Sequence, residues 1–317
     1  MAIYIREYEE GNDNLEGKEK WKQKFNFFFS FSYQDDVFFE IPSIHDEKSE
    51  VKKERKKKKR AEKLRKKIKL LNSQEVVLSY NLRKDEELCN RIDMVKNRVD
   101  GHRIRQYLAC EMVEELMKRA HQKLEEQKIA ILVNENSSVH KTIIKELAKK
   151  AKAITIVTNH INQFKKLEEE LIEEWGIGIT IANNKRKSLV KSEWILNLDF
   201  PKELVNQYQI FSKAVLINIE EMVEIERKSF EGITIQNCEI SYSMTPEQKQ
   251  IYQGFSPLCC YEAYKIEKGK LEEVFKELEE KKLHILYFFG KNGIVQDELL
   301  QSTKNSHEIL DKSIILS

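Results

Sequence analysis

Asn134-Glu135-Asn136-Ser137-Ser138 is the run of residues in this chain most readily imagined around a ligand. It follows the apolar stretch 129–133 and precedes a helical pattern over 139–150. Ser137 or Ser138 is placed to cap that helix, and the open N–H groups of a first helical turn, with the helix dipole, favour an anion. Comparable residues follow later apolar stretches: Asn159 and His160, then Lys185-Arg186-Lys187, then Asp199, with Asn218 and Glu220 further on. One expectation is therefore a cleft lined by Asn134, Asn136, Ser137, Ser138, Asn159, His160, Lys185, Arg186 and Asp199 that accepts a phosphate-bearing ligand. The plainer one is a capped helix beside a solvated basic loop. His140 and His160 invite acid–base chemistry. No Ser-His-Asp or Cys-His spacing accompanies them, and helix-start or surface histidines are the simpler reading, so no residue is assigned as catalytic. Cys89, Cys110, Cys238, Cys259 and Cys260 show no zinc-ligand spacing and read as reduced thiols, and no metal site is expected.

A second kind of chemistry belongs to residues 52–69, where 13 of 18 positions are Lys or Arg. Lys56, Lys57, Lys58, Lys59 and Arg60 form an unbroken basic block. Such a segment can neutralise phosphates in a salt-dependent way, on nucleic acid or on an anionic membrane. It has no interleaved aromatics for base stacking, no helix-turn-helix signal and no zinc ligands. An acidic protein, or the acidic remainder of the same chain, is the alternative partner. Residues 48–71 carry a local charge of +11, which leaves −9 for the rest of a chain whose total is +2.

The elements needed to position these residues can be read from periodicity. Residues 1–47 form an aromatic-rich β unit, expected to be antiparallel, with a strand at Ile3-Tyr4-Ile5 and a turn at Gly11-Asn12-Asp13-Asn14. Phe25, Phe27, Phe29, Phe31 and Tyr33 then alternate along one face, and 37–41 returns after Gln34-Asp35-Asp36. That apolar surface must cover a neighbour, either in the same chain or in the second subunit of a homodimer. Residues 48–73 read as a basic helical linker whose last turns dock through Ala61, Leu64, Ile68 and Leu71. Residues 74–127 hold a strand at 75–80, a charged stretch and a long helix over 103–127. Residues 128–240 alternate strands (129–133, 153–158, 178–182, 194–198, 214–219, 232–236) with helices over 139–150 and 162–175, a shorter one near Leu189 and another over 202–209. Short apolar runs separated by helices mean a parallel sheet covered on both faces. The fold class is α/β, a doubly wound, mostly parallel sheet. The tail, 241–317, is a helical C-terminal extension with helices at 246–264 and 270–282 and a strand at 284–289.

Thr155-Ile156-Val157-Thr158-Asn159 and Trp194-Ile195-Leu196-Asn197-Leu198 occupy the second and fourth strand positions of this pattern. In that layout residues 128–240, about a third of the chain, resemble the NAD(P)-binding domain of the shikimate dehydrogenase and glutamyl-tRNA reductase group. The resemblance implies a Rossmann-like fold and NAD(P) as the cofactor. The glycine fingerprint of such domains is absent, however. His160 stands where an arginine could hold a 2′-phosphate, and no acidic residue ends the second strand to grip a ribose.

The functional expectation is thus a degenerate Rossmann-like binding or regulatory module whose ligand the sequence does not name. The alternatives are an NAD(P)-dependent oxidoreductase with an atypical phosphate loop and a nucleic-acid-associated protein acting through 52–69. No apolar run is long enough to span a bilayer, and no secretory signal pattern opens the chain, so a cytoplasmic protein is expected.

Overall fold

The computed structural model describes residues 1–8, 29–44 and 50–302. They form two compact units, one of Met1–Gly101 with Tyr242–Glu273, the other of His102–Ser241 with the segment that begins at Val274.

The first unit is built on five strands: β1 (Ile3–Tyr8), β2 (Phe29–Tyr33), β3 (Asp36–Pro42), β4 (Glu75–Leu78) and β5 (Asn97–Val99), in the order β2-β3-β1-β4-β5. β2 and β3 form the antiparallel hairpin expected from the alternating aromatics, with Phe31 opposite Phe38. β1, in contrast, runs parallel to both β3 and β4, so the N-terminal segment is not a purely antiparallel unit. The reason is burial on both faces: Ile3 and Ile5 enter one core, while Ala2 and Tyr4 enter the other. A strand start that is apolar on both faces, as residues 2–5 are, belongs in the middle of a sheet. The first core is closed by α1 (Glu50–Lys69), through Ala61, Leu64 and Ile68, and by α2 (Glu86–Asp93), through Leu88 and Ile92. The second is closed by the helix Pro257–Lys268 and the residues before it, with Tyr252 and Phe255 packed edge-on to Tyr4. Tyr4 and Phe38 are therefore covered within the chain. Phe25, Phe27 and the turn at Gly11-Asn12-Asp13-Asn14 lie outside the described residues.

The second unit begins with α3 (His102–Arg119) and carries a six-stranded parallel sheet. Its elements are β6 (Lys128–Leu132), α4 (Ser138–Lys150), β7 (Ala153–Val157), α5 (Ile161–Trp175), β8 (Thr180–Ala182), β9 (Trp194–Asn197), α6 (Lys202–Val205), β10 (Val215–Asn218) and β11 (Ile233–Ile235). The sheet order is β8-β7-β6-β9-β10-β11. Counted from β6 as the first strand, this is 3-2-1-4-5-6, the doubly wound Rossmann order. Gly232 allows β11 to close on β10, since a Cβ there would lie 2.1 Å from the Ala214 carbonyl oxygen.

Several expected helices differ from the structure. The long helix expected over 103–127 ends at Arg119, and His121 just beyond it takes a left-handed φ of 54°. No helix forms near Leu189; the Asn184 side chain accepts from the N–H groups of Arg186 and Lys187, a local turn that competes with helix. α6 stops at Val205, and Asn206 behind it bonds the carbonyls of Lys202 and Glu224. The tail helix expected over 246–264 is two helices, Pro246–Ile251 and Pro257–Lys268. Gly254 breaks it at φ 87°, and Ser256 caps a new start with Pro257 inside the first turn. The tail also adds β12 (Asn237–Tyr242), β13 (Leu283–Gly290) and β14 (Gly293–Ile294), a sheet of three strands.

Candidate functional site

In a sheet of this order, β6 and β9 are neighbours whose connections leave in opposite directions, and a crevice opens beyond their carboxyl ends. The N–H of Leu198 bonds the carbonyl of Leu132 at 3.0 Å, which extends the ladder and brings Asp199 beside the β6–α4 loop. The Asp199 carboxylate then accepts from the backbone N–H of Asn134, at 2.7 and 3.0 Å, and from that of Glu135, at 2.5 Å. A side-chain anion thus sits on the amides that open the loop. Ser137 is the cap of α4, accepting from the His140 N–H at 3.1 Å, while Ser138 is the first helical residue. Asn134 Oδ1 accepts from the Asn159 N–H at 2.9 Å, and Asn136 Nδ2 donates to the Gln163 carbonyl at 2.7 Å, so both asparagines tie this loop to the start of α5.

Behind the loop lies a buried ionisable group that the sequence places at a helix start without further role. His140, 1% exposed, directs Nδ1 to the Glu135 carbonyl at 2.9 Å. The same nitrogen lies 3.9 Å from Asp199, and Nε2 faces Glu220 at 3.5 Å. Glu220 also accepts from Gln106 Nε2 of α3 at 2.6 Å. Burial works against an imidazolium here. It is outweighed by the bond with Glu220, the Glu135 carbonyl and the charge of Asp199, so the His140 pKa is raised. Burial raises the pKa of Asp199, against the pull of the two amides and His140. The bond with His140, opposed by burial and helped by Gln106, lowers that of Glu220. Arg105 fixes the end of β10 by donating to the Ile219 carbonyl at 2.9 Å and to Asn237 Oδ1 at 3.0 Å. Asn197 and Asn218, at the ends of β9 and β10, bond each other at 3.1 Å and use their remaining groups on nearby backbone. The result is a rigid polar floor. Glu220 is among the strand-end residues the sequence marks, whereas Gln106, far from His140 in the sequence, carries no such signal.

On the β7 and β8 side of the crevice, Asn159, His160, Ile161, Asn162, Gln163 and Asn183 line an open pocket of about 330 Å³. The Thr158 hydroxyl accepts from the His160 N–H at 3.0 Å, holding the chain where it enters α5. The lining is rich in amides and contains no Asp, Glu, Lys or Arg. Lys185 and Arg186 are exposed on the turn after β8. Lys185 donates to Gln207 Oε1, and the Arg186 N–H is taken by Asn184.

Within the basic block, Lys56, Lys58 and Lys59 are exposed and Lys57 is half-buried beside Glu54. Arg60 does not belong with them as a polyanion contact. It is buried, and its guanidinium donates to Glu7 at 2.7 Å, to Asp85 at 2.8 Å and to the Pro42 carbonyl at 2.9 Å. Cys89, Cys238, Cys259 and Cys260 are buried thiols outside any disulfide, and burial pushes the Cys259 thiol up to about 12. No helix among the described residues is long and apolar enough to cross a membrane.

No protein-family model and no curated protein matches this chain. Among solved structures, it is similar to L-tryptophan dehydrogenase from Nostoc punctiforme, with 9% identity, 87% of this chain and 80% of that chain covered, and a TM-score of 0.36. A putative D-3-phosphoglycerate dehydrogenase from Ralstonia solanacearum gives 8% identity, coverage of 89% and 95%, and a TM-score of 0.35. Ornithine transcarbamoylase from Giardia lamblia gives 10% identity, coverage of 87% and 84%, and a TM-score of 0.31. Likenesses this distant carry no inference about ligand or activity. The Rossmann-like assignment rests on the strand order and parallel pairing described above.

Proposed function

We propose that the α/β unit is a non-catalytic binding module. Its ligand is small, neutral and rich in hydroxyl or amide groups, and it occupies the pocket lined by Asn159, His160, Asn162, Gln163 and Asn183. The observation that carries this reading is the Asp199 carboxylate on the Asn134 and Glu135 amides. A dinucleotide needs the amides of this loop for its pyrophosphate, and glycines that let the backbone approach it. Here a fixed negative charge holds those amides, and the loop has no glycine. The residues present do not fit the phosphate-bearing half of NAD(P).

The pocket next to α5 is a different environment. Its volume lies at the lower end of the range for small-molecule sites, and its amides offer paired donors and acceptors without a net charge. Asn159 stands where dinucleotide-binding domains place an acid, so it can still meet hydroxyl groups but brings no charge. The absence of a catalytic role is supported by His140, whose ring is buried and directed at Glu135 and Glu220 rather than at the pocket. Calorimetry with adenosine, NADH and NADPH tests the proposal. A nucleoside that binds while both dinucleotides fail supports it, whereas tight dinucleotide binding favours an oxidoreductase with an atypical loop.

A further inference from the structure

α1 is a helix of 20 residues, about 30 Å long at about 1.5 Å per residue. One side of it is used up in the first unit. Ala61, Leu64 and Ile68 enter the core, and Arg60 is held by Glu7, Asp85 and the Pro42 carbonyl. Those contacts fix the rotation of the helix about its own axis. The opposite side must then present Lys52, Arg55, Lys58, Lys59, Lys66 and Lys69, all exposed. Ion pairs within the helix join Lys53 to Glu50, Lys57 to Glu54, and Arg65 and Lys66 to Glu62. They leave Lys52, Arg55, Lys58, Lys59 and Lys69 outside any ion pair among the described residues.

We propose that this face is a docking surface for the phosphate backbone of duplex nucleic acid, read without regard to sequence. The charge complementarity is strong and local: the segment 48–71 carries +11, whereas the rest of the chain carries −9 and would repel a polyanion elsewhere. Lysine ammonium groups dominate the face, and they suit phosphate as point charges. Neither an aromatic ring for stacking nor an Asn or Gln for base edges occurs between 50 and 69. The apolar side of α1 faces its own sheet, and Val51 and Leu70 at the ends are the exposed large apolar residues of this stretch. An interfacial helix needs that apolar side for lipid, so a membrane is the poorer fit.

The test uses the full chain and a labelled random-sequence duplex of about 20 base pairs, longer than the helix. Anisotropy is followed from about 50 to 200 mM salt. With four or five phosphates neutralised, the slope of log K against log salt is expected near −4, at about −0.9 per phosphate. Replacing Lys52, Arg55, Lys58 and Lys59 by Gln removes four of the charges without touching the docked side. This variant should bind at least about tenfold more weakly at the lowest salt, with the slope flattened by about 3.6. A control with Lys165, Lys166, Lys187 and Lys191 changed to Gln should bind like the parent. Circular dichroism confirms that both variants fold. Several results would overturn the proposal: no binding at the lowest salt, an unchanged slope in the α1 variant, or an equal loss in the control. Binding of phosphatidylserine vesicles or polyglutamate in place of the duplex would also overturn it.

Discussion

Replacing Asp199 should convert the switch-point crevice from one that repels phosphate to one that accepts it. In the parent protein the carboxylate lies directly on the Asn134 and Glu135 amides. A phosphate drawn to the same amides would come to about 4 Å from it, where two unit charges repel by about 4 kcal/mol at an effective dielectric of about 20. That corresponds to nearly three powers of ten in affinity at about 1.4 kcal/mol each. Glu135 is solvent-exposed, so solvent screening reduces the effect, and a gain of tenfold or more is the expected outcome. Asp199→Asn removes the charge at constant size, and Asp199→Gly also clears the volume. Pyrophosphate binding to both, measured by calorimetry at low salt and neutral pH, gives the readout. If both variants fold and bind pyrophosphate no better than the parent, the carboxylate is not what keeps phosphate out.

His140 has a raised pKa in the folded protein, so the imidazolium stabilises the fold fully below the ordinary histidine value of about 6.5. That stabilisation is lost as pH rises through the higher native value. Urea midpoints should therefore fall as pH rises from about 6.5, and His140→Gln should flatten the profile; an unchanged profile would mean that this ring does not titrate there. Arg60→Met removes the buried guanidinium that pairs with the largely covered carboxylates of Glu7 and Asp85 and should cost about 3–5 kcal/mol in the first unit. Adding Glu7→Gln and Asp85→Asn should recover most of that loss in urea denaturation, and a loss under about 1 kcal/mol would place the cluster with surface ion pairs.

Much of the second unit could be read from the sequence because its strands are short apolar runs set between helices. Its strand spans agree with expectation to within a few residues, since parallel strands buried on both faces leave an unbroken hydrophobic signal. The N-terminal unit was harder. Alternating aromatics announce the β2–β3 hairpin, but nothing local says that β1 lies between β3 and β4, because that pairing joins Ile3 to Val37 and Val76. The divided tail helix was legible in Ser256-Pro257, a start signal inside an otherwise helical pattern. Asp199 was readable as a crevice residue, whereas its occupation of amides 64 and 65 positions away was not. The same holds for Arg60. Its charge suggests solvent, and only the folding together of β1, α1 and α2 brings Glu7 and Asp85 to it. Ion clusters assembled from distant segments leave no periodic trace, and they account for most of what the sequence withheld about the site.

Calorimetric titration of the intact chain with adenosine and, in parallel, with NADH and NADPH tests the proposed module most directly. Measurable heat with the nucleoside, lost on Asn159→Ala and Asn183→Ala, together with no saturable binding of either dinucleotide, is the predicted result. Saturable binding of NADH or NADPH at micromolar concentration, with Asp199 intact, would contradict it.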